Sequence, residues 1–328
     1  MLATHGGGVL LRTLDGAAKA IFVDGDRGLC LYRTTGPYLA VHFDPVVRTP
    51  GERQAFVDAL FAFASAQGKR PVFYHVSSAW RAVLHDCGFE FFKLGEEAHL
   101  PLDSTAAAAS TRCTLADIVS AGKADVRARI VDAEERIARL DELRDVASQG
   151  LFRRGLALSP AAASPIEPSV DAYPCAIVEQ TATGRIVAFA SLLASGDGSE
   201  AGVDLVRFRR GFASAADVLL AYLVEHAEVA GVRRFNLGLA LMASVGECRG
   251  ARMAERLTRL VFTRTERWFQ LQELRREKER FGPTWVPVYL AQRRAWEWPL
   301  TVASLTALSV GAGYRTSQSV ARTARGRA

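Results

Sequence analysis

Cysteine is scarce in this chain of 328 residues, and nothing in its pattern pairs. Cys30, Cys87, Cys113, Cys175 and Cys248 are scattered, odd in number and without a Cys-x-x-Cys step. That speaks against a disulfide framework or a zinc site and fits a reducing cytosol. No charged-then-apolar leader opens the sequence. No run has the length and apolarity of a membrane span. The most apolar long stretch, WPLTVASLTALSVGAGY at 298–314, is short and rich in Thr, Ser and Gly, and reads as a core or interfacial helix. Walker loops, nucleotide-binding glycine fingerprints and Ser-His-Asp arrangements are missing. His42, His75, His85, His99 and His226 lack metal-ligand spacing and are assigned to packing or surface. No cofactor and no metal are expected.

What is present is a globular composition, 49% apolar, in a chain long enough for two domains. The net charge of +6 is modest but uneven. The stretch from Arg252 to Arg280 is dense in arginine, and the tail after Tyr314 holds Arg315, Arg322, Arg325 and Arg327 with no acid. Such clusters suit an anionic partner, nucleic acid or an acidic membrane surface; a solvated helix face and a free tail are the alternative.

Periodicity and turn residues give a coarse order of elements. KAIFVDGDRGLCLYRTTGPYLAVHFDPV reads as strands broken at Asp-Gly and Gly-Pro, GERQAFVDALFAFASAQG as a helix closed by Gly68, and RPVFYHV as a strand. SSAWRAVLHDCG reads as a short helix capped by Ser78, and FEFFKLGEEAHLPL as the strand that closes the sheet. Helices are expected at about 114–121 and 125–148, then an irregular Pro-rich loop. The second half repeats the pattern in kind: strands in CAIVEQTA, GRIVAFASLLA and AGVDLVRFR, a helix ending at Gly231, the strand VRRFNLGLA, a long basic helix over roughly 250–280 and a last strand WVPVYLAQR. Two mixed α/β units in tandem follow, 1–105 and 106–295, the latter opened by a helical linker, with a C-terminal helix and basic tail at 296–328.

Several residues stand out chemically. Residues 91–102, FFKLGEEAHLPL, place Gly95, Glu96 and Glu97 in the middle of a strand. Either the strand is a solvated edge, or its backbone opens for a ligand. In GVDLVRFRRGFASAADVLL a strand leads through arginines and Gly211 into a helix, a site type suited to anions. A coenzyme A pyrophosphate loop of the GNAT acetyltransferases would need Arg or Gln where Phe208 stands; Arg207, Arg209 and Arg210 are out of register. Asp204, a carboxylate in an apolar strand, suits a substrate amine, a base or a salt bridge. Asn236 and Gly238 suggest a bulge or a polar contact.

Four ordered stretches, FFKLGEEAHLPL, DLVRFRR, RRFNLGLA and LQELRREKERFGPTWVPVYLA, resemble the catalytic domain of the multiple peptide resistance factor family, the lysyl- and alanyl-phosphatidylglycerol synthases; LYRTTGPYLAVHFDPV resembles that family's opening strands. The resemblance spans most of residues 20–310. It implies an α/β, tandem GNAT-like fold related to the Fem transferases. It also implies transfer of lysine or alanine from aminoacyl-tRNA to a hydroxyl of phosphatidylglycerol, with no cofactor, by a protein peripheral to the inner leaflet of the bacterial cytoplasmic membrane. Asp204 and Arg207 are then the expected catalytic pair, on opposite faces if their strand is regular. Glu96, Glu97, Asn236, Gly238, Glu255, Arg256 and Lys278 are the expected substrate-binding residues. Residues 103–124, mostly Ala, Ser and Thr, replace a basic helix of the family. A diverged lipid- or tRNA-binding module without turnover, or an acyl-CoA-dependent GNAT acyltransferase, are the alternatives.

Overall fold

The structure, a computed structural model, describes residues 20–103, 117, 125–150, 173–241, 275–297 and 300–301. The first half opens with an antiparallel meander, β1 (Ala20–Asp24), β2 (Gly28–Thr35) and β3 (Tyr38–Val47), turning at the expected Asp-Gly and Gly-Pro steps. Helix α1 (Arg53–Ala66) buries Phe56, Val57, Leu60 and Ala64, a stripe at helical spacing, against Phe22, Leu39, Val41 and Phe73 of the sheet. Having crossed over, the chain returns as β4 (Arg70–Ser77), parallel to β3. A single 3-10 turn, Ser78–Trp80, leads into α2 (Arg81–Asp86). Its cap is Ser77, whose hydroxyl accepts the Ala79 N–H at 3.2 Å, and not the expected Ser78.

The second half holds β6 (Val126–Val131), α3 (Ala133–Ala138), α4 (Leu140–Gly150), β7 (Cys175–Gln180), β8 (Ile186–Ala194), β9 (Glu200–Phe208), α5 (Ala213–Val229) and β10 (Arg234–Leu241). Between the halves runs β5 (Glu90–Pro101), and β11 (Thr284–Gln292) comes last. The stretch VRARIV, expected to be helical, is strand β6. Its arginines alternate with apolar residues, and it pairs on one side only, with β7, as an edge strand carrying charge does. Arg129 there is held by Glu179 and Glu135. Helix α5 packs Leu219, Leu223, Val224 and Ala227 on Val187, Ala188 and Phe235, forming the second core.

All the described strands join one sheet of eleven, in the order β1-β2-β3-β4-β11-β5-β10-β9-β8-β7-β6. Strand β5 is therefore central, between β11 and β10, and does not close the sheet; the solvated-edge explanation of its acids is excluded. Chain order would put β11 with the second half, yet it lies between β4 and β5 of the first. Among the described residues no helix is long and apolar enough to cross a membrane. The expected helix at 114–121 apart from residue 117, the Pro-rich loop up to residue 172, most of the basic helix and the arginine tail lie outside the described residues, as does 298–314 apart from 300–301.

Candidate active site

The sheet is irregular within its second half, where β9 lies beside β10. Strands β9 and β10 are parallel, and their ladder runs only from Arg234 opposite Glu200 to Asn236 opposite Gly202. Beyond Gly202 and Asn236 the two strands no longer pair. Both strands of this opening carry bulges, as strands often do beside active sites. Strand β9 carries an extra residue between Val203 and Val206, judged by its pairing with β8. Strand β10 carries one between Asn236 and Leu239, and β4 carries one at His75, which the pairing with β11 skips.

Asp204 stands in the β9 bulge, just past the last paired residue. The expectation that Asp204 and Arg207 take opposite faces assumed a regular strand; with a bulge between them, residue spacing no longer sets their faces. Arg207 is buried, and its guanidinium donates to the Val206 carbonyl at 3.0 Å. Arg209 is buried too and donates to the Ile186 carbonyl and to Asp145. That arginine therefore ties α4 to the sheet.

The β10 bulge has a clear construction. Gly238 takes φ +86°, a left-handed conformation that glycine adopts without strain. The Asn236 side chain braces it: Oδ1 accepts the Gly238 N–H at 2.7 Å, and Nδ2 donates to Glu200 at 3.2 Å. Glu200 also accepts from Arg234. Asn236 is thus engaged in holding the bulge. Over Gly238 lies the Lys278 ammonium, which donates to the Leu239 carbonyl at 3.0 Å. Burial pulls the Lys278 pKa down to about 7, while Glu97 and Glu277 draw it the other way.

Glu97 is buried on β5 between two histidines. Its Oε1 is 2.7 Å from His75 Nε2, and its Oε2 is 2.9 Å from His99 Nε2. Burial alone would raise this carboxyl; the histidines outweigh it and hold Glu97 below the usual carboxylate range. His75 and His99 are buried, which fits the packing assignment, yet their rings serve a charge. His99 had a sequence signal, since residues two apart on a strand share a face. His75 had none, because it reaches Glu97 across β11 from a bulge. Phe43 (φ +63°) and His75 (φ +67°) are the non-glycine residues with positive φ among those described, and their rings lie 4.9 Å apart. Such strain persists where surrounding structure enforces it, often at functional sites. Beside them Asp44 accepts from the Ser77 N–H and hydroxyl, its carboxyl raised by burial against those bonds.

Glu96, the next residue on β5, accepts from Lys93 at 2.6 Å and from Arg275 at 2.5 Å. The Arg275 guanidinium also covers the Trp285 ring at 4.5 Å. The structure thus brings Glu97, Gly238 and Lys278 together, with Glu96 linked to the Lys278 segment through Arg275. Glu255 and Arg256 lie outside the described residues. Among the described residues no group of His, Cys, Asp or Glu could hold a metal ion.

The fold is a tandem GNAT-like one. FemX matches with a TM-score of 0.60 over 92% of this chain and 96% of its own at 12% identity, which speaks for the fold alone. The chain belongs to the family described as phosphatidylglycerol lysyltransferase, C-terminal, whose model matches residues 13–292. The structure of L-PGS from Bacillus licheniformis matches with a TM-score of 0.67 at 26% identity, covering 90% of each chain. The C-terminal domain of a candidate lysylphosphatidylglycerol synthetase from Agrobacterium fabrum matches with a TM-score of 0.72, also at 26% identity and 90% of each chain. Phosphatidylglycerol lysyltransferase of Bacillus subtilis is 28% identical over 301 residues, 89% of this chain and 34% of that protein. The Staphylococcus epidermidis enzyme of the same name is 25% identical over 308 residues, 92% of this chain and 36% of that protein. The chain therefore spans about a third of the length of these curated relatives.

Proposed function

We propose that this chain transfers an amino acid, lysine or alanine, from aminoacyl-tRNA to a hydroxyl of phosphatidylglycerol. The observation that carries the reading is the opening between β9 and β10, with Asp204 on one strand and Lys278 over the bulge of the other. The family membership supports the lipid as acceptor. An aminoacyl ester is already activated, so the chemistry requires little beyond positioning and control of one proton. The lipid hydroxyl oxygen attacks the ester carbonyl. The new ester bond forms, the bond to the terminal ribose of tRNA breaks, and the hydroxyl proton ends on the ribose oxygen.

Each residue at the opening has a part in this reading. Asp204 holds the α-ammonium of the amino acid, and Arg207 steadies the strand from within. Lys278, poised near neutrality, is present partly as the free amine at physiological pH, so it can accept the hydroxyl proton and return it to the leaving ribose. The backbone of the bulge keeps Lys278 over Gly238. The arginine-rich stretch 252–280 and the basic tail supply attraction to tRNA phosphates and to an anionic membrane surface, where the protein acts peripherally. The test is direct. The purified protein, phosphatidylglycerol vesicles and a mixture of charged tRNAs are incubated, and the lipids are extracted for mass spectrometry. Aminoacyl-phosphatidylglycerol is the expected product; its absence under every tRNA supply refutes the reading.

A further inference from the structure

The turn that follows β11 has its polarity reversed. Around the 3-10 turn Ala295–Glu297, the large apolar side chains stand in water: Trp296 is 74% exposed and Leu300 54%. The polar ones lie inside, Glu297 and Thr301 being buried. Tryptophan is on average one of the more buried residues, and an acid one of the least. The arrangement is held firmly. Glu297 accepts from Tyr38 of β3 at 3.1 Å, from Arg70 of β4 at 2.7 Å and from Arg294 at 3.1 Å. The Thr301 hydroxyl donates to the Glu297 carbonyl at 3.2 Å, and Gln292 donates to the Arg294 carbonyl at 2.9 Å. Arg293 donates to the Cys87 carbonyl just past α2 at 3.0 Å and covers the Phe61 ring of α1. The exposure of Trp296 is thus fixed by the bonds that fasten its neighbours to the first half of the sheet. In water alone it is unfavourable. It is favoured where the outward side meets something apolar.

Charge indicates what that is. Arg293 and Arg294 are exposed beside Trp296. Over residues 293–328 six arginines stand against one acid, Glu297, which Arg70 and Arg294 already neutralise. Residues 298–314 carry no charge. Arginines beside an exposed indole suit the boundary between anionic headgroups and acyl chains, where the apolar ring and its N–H both find their medium. The turn also lies past residue 292, where the match to the family model ends.

We propose that Trp296 and Leu300, flanked by Arg293 and Arg294, dock this protein on an anionic bilayer surface. This rests on the reading above for the choice of lipid and not for the transfer chemistry. Val286 lies opposite Glu97, and Gln292 at the end of the same strand is six residues, roughly 20 Å, further on. The docking turn therefore lies apart from the Glu97 end of β11.

The test sediments the full chain with vesicles of phosphatidylglycerol and phosphatidylcholine in equal parts, and with phosphatidylcholine alone. Binding to the mixed vesicles is expected, falling at least about tenfold in Trp296→Ser and in Leu300→Ser, the scale of one large apolar side chain left in water. Brominated acyl chains should quench the fluorescence of the wild type more than that of Trp296→Phe, a variant that keeps an aromatic ring in place. Unchanged sedimentation of the serine variants, equal binding to phosphatidylcholine alone, or equal quenching of the two proteins overturns the proposal. So does a dimer in vesicle-free buffer that Trp296→Ser abolishes, which assigns the turn to a second copy of the chain. Aminoacyl transfer is followed on the mixed vesicles and on a short-chain phosphatidylglycerol below its micelle concentration. Trp296→Ser should lose rate on vesicles and keep it on the dispersed lipid; equal loss on both overturns a docking role. Absence of transfer by the wild type to either acceptor refutes the transfer reading and leaves docking to be decided by sedimentation and quenching.

Discussion

Replacing Lys278 by Met should make the protein more stable and less active. The ammonium sits half-buried over Gly238, and its pKa falls from 10.5 to about 7 because burial disfavours the charge. At about 1.4 kcal/mol per tenfold in proton affinity, that fall sets a ceiling of roughly 5 kcal/mol on what the charge costs the fold. Partial exposure and the lost bond to the Leu239 carbonyl trim the expected gain to about 2 kcal/mol. The sign follows from linkage. A lysine with a lowered folded pKa binds fewer protons in the folded than in the unfolded state between pH 7 and 10.5, so its destabilisation is complete below pH 7 and fades as pH rises towards 10.5. Urea unfolding of both proteins at pH 6.5 and at pH 9.5 measures this. The variant's midpoint should lie higher at the lower pH, with an unchanged slope, and the gap should shrink at the higher pH. A variant that is equally or less stable at pH 6.5, or a gap that ignores pH, would refute the burial argument.

Further substitutions separate structure from chemistry. Asp204→Asn should keep its melting temperature and lose about 10- to 100-fold in turnover, the scale of one charged hydrogen bond, measured by lipid aminoacylation; full activity would show that the carboxylate is not at the reacting centre. Gly238→Ala should cost about 1–2 kcal/mol in chemical unfolding because φ +86° is strained for any side chain. The added Cβ itself would meet Lys278 Nζ at an ordinary 3.6 Å. Glu97→Gln should cost about 1–3 kcal/mol at neutral pH by leaving two buried histidines without their charge partner. The Glu97 pKa is depressed from 4.5 in the fold, so its contribution is present above that value and lost as pH falls. The gap between wild type and Glu97→Gln should therefore narrow below pH 4.5 in acid unfolding.

Sequence patterning made most elements legible because their signals are local. The apolar stripe of α1, the positive-φ glycines that close α1 and α5, and the Asp-Gly turn after β1 each read directly off a few residues. Strand β6 was missed because Arg127 and Arg129 made a two-residue alternation look like a charged helix face; only an edge position explains such a strand. Gly238 and Asn236 were legible as a bulge. His75 was not, since its approach to Glu97 depends on a bulge in β4 and on β11 lying between them, neither of which a local pattern records. The opposite-face expectation for Asp204 and Arg207 held only for a regular strand, and the extra residue in β9 removes that condition.

The position of β11 explains why neither half could form this site alone. Val286 of β11 lies opposite Glu97 on one side of β5, and Leu239 of β10 lies opposite Glu97 on the other. The helical turn at 275–279 comes just before β11, so the pairing that seats Val286 beside Glu97 also holds Arg275 and Lys278 within reach of β5 and β10. Val288, Leu290 and Ala291 are buried, so burial of apolar side chains, not the site's polar contacts, drives that strand into the sheet. Its insertion then delivers a cationic segment from the end of the chain to a carboxylate near its beginning. The weak polar geometry of the site is thus positioned by the strong apolar term of the fold. The same insertion closes β4 and β5 into one sheet, so opening the site from that side would require breaking both of β11's ladders. The unpaired stretch between β9 and β10 needs no ladder to be broken.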